Sequence, residues 1–118
     1  MRIIVDAYGG DNAPEAVLRG CRMAADQWKC EIILTGDSEK LRARAAELGV
    51  SLEGMTIAEA PDVFPMEAEP TAIMKQYKDS SMARGLQMLA EGGGEALVSA
   101  GSTGALVVGG TLIVKRIK

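Results

Sequence analysis

The sequence predicts an α/β fold, a mainly parallel sheet with helices on both faces, and three observations lead there. Short apolar runs at Arg2-Ile3-Ile4-Val5-Asp6, Ile32-Ile33-Leu34-Thr35 and Ala96-Leu97-Val98-Ser99-Ala100 each stop at a glycine-bearing loop, as strands buried on both faces do. Stretches with helical spacing separate these runs, and no hairpin turn signal joins any two of them. The 14 glycines sit mostly in short clusters, where a strand turns into a helix and backbone must come close to something. A chain of 118 residues supports one domain with its own core.

The elements follow in order. The first strand ends in Asp6 and enters Gly9-Gly10. Pro14 suits the first turn of a helix capped by Asn12 or Ala13, with Glu15 near the positive helix end. Ala16, Val17, Gly20, Cys21 and Ala24 recur at helical spacing and are expected to face the sheet, and the helix is expected to end near Asp26. The second strand stops at Gly36-Asp37. A helix from about Ser38 carries Leu41, Ala45 and Leu48 on one side and ends at Gly49. Met55–Ala58 is the third strand. Pro61, Pro65 and Pro70 make 60–70 an irregular, exposed connection. From Thr71 a short helix carries Met74, Lys75 and Tyr77 to Asp79-Ser80-Ser81, capping residues for a helix that buries Met82, Leu86 and Leu89. The fourth strand, 96–100, leads through Gly101-Ser102-Thr103-Gly104 into a last helix reaching Lys115-Arg116, basic residues that suit a helix C-terminus.

Composition excludes several classes of function. A net charge of −3 and 3% aromatic residues argue against nucleic-acid binding, which uses a basic face and stacking rings. There is no histidine, so no His-based metal site and no Ser-His-Asp or Cys-His arrangement lies within the chain. Cys21 and Cys30 form no CxxC pair and read as free, packing thiols of a reducing, cytoplasmic protein. Residues 96–114 run without a charge, close to the ~20 that span a bilayer. The Gly101–Gly104 segment and Gly109-Gly110 divide and dilute that run, so a strand followed by a buried helix is the expectation.

In open parallel sheets ligands bind beyond the carboxyl ends of the strands. Three strands deliver polar, glycine-flanked residues there: Asp6 with Gly9, Gly10, Asp11 and Asn12; Thr35-Gly36-Asp37; and Ser99 with Gly101, Ser102, Thr103 and Gly104. Free amides at a helix start, with hydroxyls nearby and no crowding from glycine, make an anion cradle. The structural alternative is that Ser102 or Thr103 only caps the helix, which takes one hydroxyl rather than three. Asp6 and Asp11 could act as metal ligands or a base; a structural role, Asp6 organising its loop, is favoured. Lys75 and Lys78 would share a helical face toward an anion, or be plain solvated surface. Neither G-x-x-x-x-G-K-[ST] nor G-x-G-x-x-G is present, so no nucleotide cofactor is indicated.

The block Val5-Asp6-Ala7-Tyr8-Gly9-Gly10-Asp11-Asn12-Ala13-Pro14-Glu15 resembles the opening signature of the PlsX-type phosphate acyltransferases. Lys78-Asp79-Ser80-Ser81-Met82 and Val98-Ser99-Ala100-Gly101-Ser102-Thr103-Gly104-Ala105 resemble that family's next two signatures, in order. Tyr8 stands where the family commonly has Met, and Ser102 where it commonly has Asn. The resemblance covers all 118 residues but roughly the first third of the family's proteins, so the chain reads as a single N-terminal α/β portion, 1–118, of a longer enzyme. It implies a Rossmann-like three-layer α/β/α fold, here incomplete, related to the phosphotransacetylases and the isocitrate/isopropylmalate-type dehydrogenases. It implies transfer of an acyl group from acyl-carrier protein to inorganic phosphate without metal or cofactor. A homodimer, and peripheral membrane association through segments not present here, are also implied. The candidate catalytic residues are Lys75, Lys78 and Asp79. Asp6, Gly9, Gly10, Asp11, Asn12, Ser80, Ser81, Ser99, Gly101, Ser102, Thr103 and Gly104 are the candidates for binding phosphate and substrate. Arg42, Arg44 or the Lys115–Lys118 end could meet the acidic carrier, with solvated surface the simpler reading. The isolated chain is expected to be inactive. Two rivals remain: a dehydrogenase of the same architecture, against which the missing nucleotide motifs count, and a non-catalytic association module.

Overall fold

The computed structural model describes residues 1–28, 30–65 and 67–114. Strands β1 (Arg2–Asp6), β2 (Glu31–Gly36), β3 (Met55–Glu59) and β4 (Ala96–Val98) alternate with helices α1 (Glu15–Trp28), α2 (Ser38–Leu48), α3 (Ser81–Ala90) and α4 (Thr103–Gly109). A 3-10 turn, Pro70–Met74, precedes α3, and α4 runs on as a π-helical segment, Gly110–Val114. The sheet order is β3-β2-β1-β4 with every neighbouring pair parallel, a Rossmann-like arrangement in which the chain turns back across β1 to place β4. The last helix was expected to reach Lys115-Arg116, which lie outside the described residues.

Pleat alternation sorts the side chains onto two faces. Val5, Ala7, Ile32 and Leu34 meet Leu18 and Cys21 of α1 and Leu41 and Ala45 of α2 in one apolar cluster. On the other face Met82, Ala83 and Leu86 of α3 join Phe64, Ile73 and Ala105. Gly85 lets α3 approach closely there, since a Cβ would come within 2.8 Å of Leu97 and 3.4 Å of Ile4.

The structure corrects several expectations. The buried stripe of α1 is Leu18 and Cys21, with Val17, Ala24 and Ala25 beside them, while Ala16 and Gly20 are exposed. Leu18 carries more apolar area than either, and the helix turns to bury it. Pro14 precedes the helix, and α1 extends to Trp28. The 60–70 connection is not wholly exposed: Ala60 and Phe64 are buried, and Phe64 packs edge-on against Tyr77 with ring centroids 5.2 Å apart. Lys75 follows the 3-10 turn and Lys78 lies in the turns after it, so the two share no regular helix. The β4 strand stops at Val98, leaving Ser99 and Ala100 in the loop. The charge-free run 96–114 resolves into strand and helix, as expected, and no helix among the described residues is long and apolar enough to cross a membrane. However, α4 and its extension are only partly buried, with Val107 and Leu112 more than half exposed.

Candidate functional site

At the carboxyl end of β1 the alternation turns Asp6 away from the α1 side, and its opposite number on β2 is Thr35. Both are fully buried, so each must find partners among protein groups. Asp6 is the hub. Its Oδ1 accepts a short hydrogen bond from the Ser81 hydroxyl and a second from the Tyr8 amide at 3.2 Å. Its Oδ2 accepts from the Ser99 hydroxyl at 2.8 Å. Thr35 donates to the Ser81 carbonyl at 2.7 Å. One carboxylate therefore ties the end of β1 to the start of α3 and the end of β4.

The glycine loop after β1 is fitted to that hub. At Gly9 a Cβ would lie 2.8 Å from Asp6 Oδ2, 2.8 Å from Ser99 Oγ and 2.9 Å from the Gly101 amide, so only a residue without a side chain fits. Gly10 has φ +97° and backs onto Ala100. Gly101 lies against Gly9 and the Met82 methyl. The loops 6–10 and 99–101 thus touch directly over the start of α3.

The two helix starts at this edge are capped by their own serines. Ser80, buried, accepts from the Ala83 amide at 3.2 Å, and its backbone joins Asp62 in a parallel bridge. Ser102, also buried, accepts from the Ala105 amide at 3.2 Å. The three hydroxyls of the last loop have separate tasks. Ser102 caps, Ser99 bridges Asp6 and the Gly101 amide, which donates to it at 3.1 Å, and Thr103 is exposed at the first turn of α4. Gly104 sits over Pro70, whose Cγ a Cβ would meet at 2.7 Å. The start of α4 therefore leans on the 3-10 turn that leads toward Lys75.

The predicted residues divide accordingly. Asp6, Gly9, Gly10, Ser80, Ser81, Ser99, Gly101 and Ser102 come together at the edge of the sheet. Asp11 and Asn12 are exposed in the turn before α1, where the Asn12 carbonyl accepts from Ala16 at 3.0 Å. Lys75, Lys78 and Asp79 are exposed beside α3, and neither lysine ammonium forms an ion pair or hydrogen bond among the described residues, although the Lys75 amide donates to the Ala72 carbonyl at 3.2 Å. Arg44 is committed to Glu15 at 3.2 Å and Glu47 at 2.8 Å, holding α2 to α1, whereas Arg42 is exposed. Two network members were absent from the catalytic and binding candidates: Thr35, which the sequence had placed at the same edge without a role, and Tyr8 through its amide. The signal for Thr35 was available, because a hydroxyl ending a strand in register with Asp6 shares its face. No group of three or more His, Cys, Asp or Glu side chains able to hold a metal occurs among the described residues. Cys21 is no nucleophile at neutral pH, since burial, and then the neighbouring Cys30, pushes its thiol up to about 11.

Comparison with known proteins places the chain in company. A family model described as "Fatty acid synthesis protein" matches residues 1–118. A phosphate acyltransferase of Clostridium acetobutylicum is 41% identical over 119 residues, covering 100% of this chain and 36% of its own length. Those of Pelotomaculum thermopropionicum and Caldicellulosiruptor bescii are 42% and 44% identical, covering all of this chain and 34% and 36% of their own lengths. The chain spans about a third of the length of the relatives it matches.

Proposed function

The chain belongs to the fatty acid synthesis protein family, and from that premise we propose that it supplies the carboxyl-edge half of a phosphate acyltransferase site acting in the cytoplasm. The reaction is transfer of a fatty acyl group from acyl-carrier protein to inorganic phosphate, giving an acyl-phosphate for phospholipid synthesis. The observation that carries this reading is the Asp6 hub, which holds the Gly9-Gly10 and Ser99–Gly101 loops together between two helix starts. Helix N-termini attract anions, and Thr103 offers an exposed hydroxyl there.

In this mechanism phosphate sits at the Ser99–Gly104 loop, with Lys75 or Lys78 and the α3 start by Asp79, Ser80 and Ser81 adding positive potential. A phosphate oxygen attacks the thioester carbonyl carbon, the C–O bond forms to give a tetrahedral oxyanion, and its collapse breaks the C–S bond. The carrier's thiolate departs and takes up a proton. Asp6 keeps the loops in register, so that amides oriented before the reaction can stabilise the tetrahedral oxyanion. No acyl-enzyme is required. A homodimer and the carrier protein complete the assembly.

The test is phosphate-dependent loss of an acyl thioester by a longer polypeptide carrying this region. The combined variant Ser99→Ala, Thr103→Ala and Lys78→Ala is expected to lower turnover at least about 100-fold, the scale of losing one oriented oxyanion donor. Unchanged turnover removes these residues from the mechanism. A second reading, a non-catalytic association module, has one observation in its favour: Val98 on the edge strand is 54% exposed. A stable oligomer that binds neither phosphate nor acyl thioester would select it.

A further inference from the structure

Three segments converge on the start of α3, and each takes one polar group of Ser81. The Ser81 amide donates to the Asp62 carbonyl at 2.9 Å, the hydroxyl donates to Asp6, and the carbonyl accepts from the Thr35 hydroxyl at 2.7 Å. Ser81 and Thr35 are both fully buried, so protein groups must satisfy them. Just upstream, the Asp62 amide donates to the Asp79 carbonyl at 3.2 Å and the Ser80 amide to the Tyr77 carbonyl at 3.1 Å. The chain from Tyr77 to Ser81 is therefore held by backbone on the Asp62 side and by two side chains, Asp6 and Thr35, on the sheet side. Lys78 lies inside this held segment and is exposed.

Thr35 has a hydroxyl where the fold alone asks for none. At a buried strand position valine has the same shape and buries more carbon. The Ser81 carbonyl, in the first turn of α3, already has the helix ladder as a donor. Besides Ser81, the Thr35 hydroxyl reaches only the Val5 carbonyl, at 3.4 Å. Asp6 grips Ser81 by a rotatable side chain, whereas Thr35 grips the main chain itself.

We propose that Thr35 is a positioning residue for phosphate: its hydroxyl, bonded to the Ser81 carbonyl, fixes the main chain at the start of α3 and so sets where Lys78 presents its charge. The proposal rests on the acyl-transfer reading above, in which Lys78 adds positive potential at phosphate. A lysine carries its charge on a flexible four-carbon stem, so a fixed base matters, and small displacements distant from the chemistry weaken a positioned contact.

Steady-state turnover of a longer polypeptide carrying this region, with acyl thioester saturating and phosphate varied, tests it. Thr35→Val is expected to raise the KM for phosphate about tenfold while kcat stays within about twofold, the signature of weakened binding rather than lost chemistry. Thr35→Ser keeps the donor and is expected to restore the KM. In a Lys78→Ala background, Thr35→Val is expected to shift the KM by less than about twofold, because the two residues act as one unit. An unchanged KM in Thr35→Val, an equal rise with Lys78 present or absent, or a Thr35→Ser as impaired as Thr35→Val each overturns the proposal. If far-UV circular dichroism shows that Thr35→Val does not fold, Thr35→Cys, a weak donor, carries the same comparison. An unaltered polypeptide without phosphate-dependent thioester loss removes the acyl-transfer reading and this role with it; normal turnover unaffected by Thr35→Val removes the positioning role alone.

Discussion

The two faces of the sheet are built on different physics. On the α1–α2 face, Val5, Leu34, Leu18 and Leu41 fill space with carbon, and stability there depends on volume and apolar area. On the α3 face the amino-end half is equally apolar, but toward the carboxyl end Asp6, Thr35, Ser81 and Ser99 replace hydrocarbon with hydrogen bonds. Buried polar groups gain little when paired and cost much when left unpaired, so this corner depends on geometry rather than volume. The difference teaches where chemistry can be placed. A residue at the end of a strand reaches the functional edge, and pleat parity decides whether it meets carbon or hydroxyls.

Three substitutions or conditions sharpen that contrast. The largest effect is expected from Leu34→Ala on the apolar face, where the side chain is fully buried. A loss of about 3–4 kcal/mol is the scale for such cavities, read from urea midpoints, whereas Leu34→Met should cost less than about 1.5 kcal/mol. A similar loss for both would break the claim that this face responds to volume. Asp6→Asn comes next. It keeps the volume but turns a donor toward hydroxyls and an amide that need acceptors, and should cost about 2 kcal/mol. Loss of coupling to Ser99 should appear in a double-mutant cycle with Ser99→Ala. A neutral Asp6→Asn would mean the network is not what holds this corner.

The smallest expected effect concerns Cys21 on the apolar face. Its folded thiol titrates near 11, above the ~8.5 of an unfolded cysteine. The protonated form is favoured by folding, so its contribution is intact below ~8.5 and is lost as pH rises toward 11. Stability should therefore decline across that window, and Cys21→Ala should show a shallower decline. Tyr8, also raised, by burial first and then by Asp37 and Glu59, supplies part of the remaining slope.

Much of the fold was legible because its signals are local. Apolar runs ending in glycine marked β1 and β2, Gly49 marked the end of α2 in the left-handed conformation, and Ser80 was recognisable as a cap. The α1 face was misread because Ala16 and Gly20 fit the helical period as well as Leu18 does, and only the choice of neighbour separates them. Phe64 was hidden among prolines, where local chemistry says loop and says nothing of a ring packed 5.2 Å from Tyr77. In the site, the residue types were legible but the division of labour was not. Three hydroxyls in one loop looked like three ligands for an anion, while capping and bridging account for Ser102 and Ser99.

By itself the sequence determined the order of elements, the parallel sheet and the edge at which polar residues gather, because periodicity and turn chemistry act over a few residues. Only the tertiary structure decided that Asp6 would meet Ser81 and Ser99, 75 and 93 positions away, and that Thr35 would reach the Ser81 carbonyl, 46 positions away. Those outcomes depend on how parallel strands far apart in the chain are brought side by side, and no local preference encodes that distance.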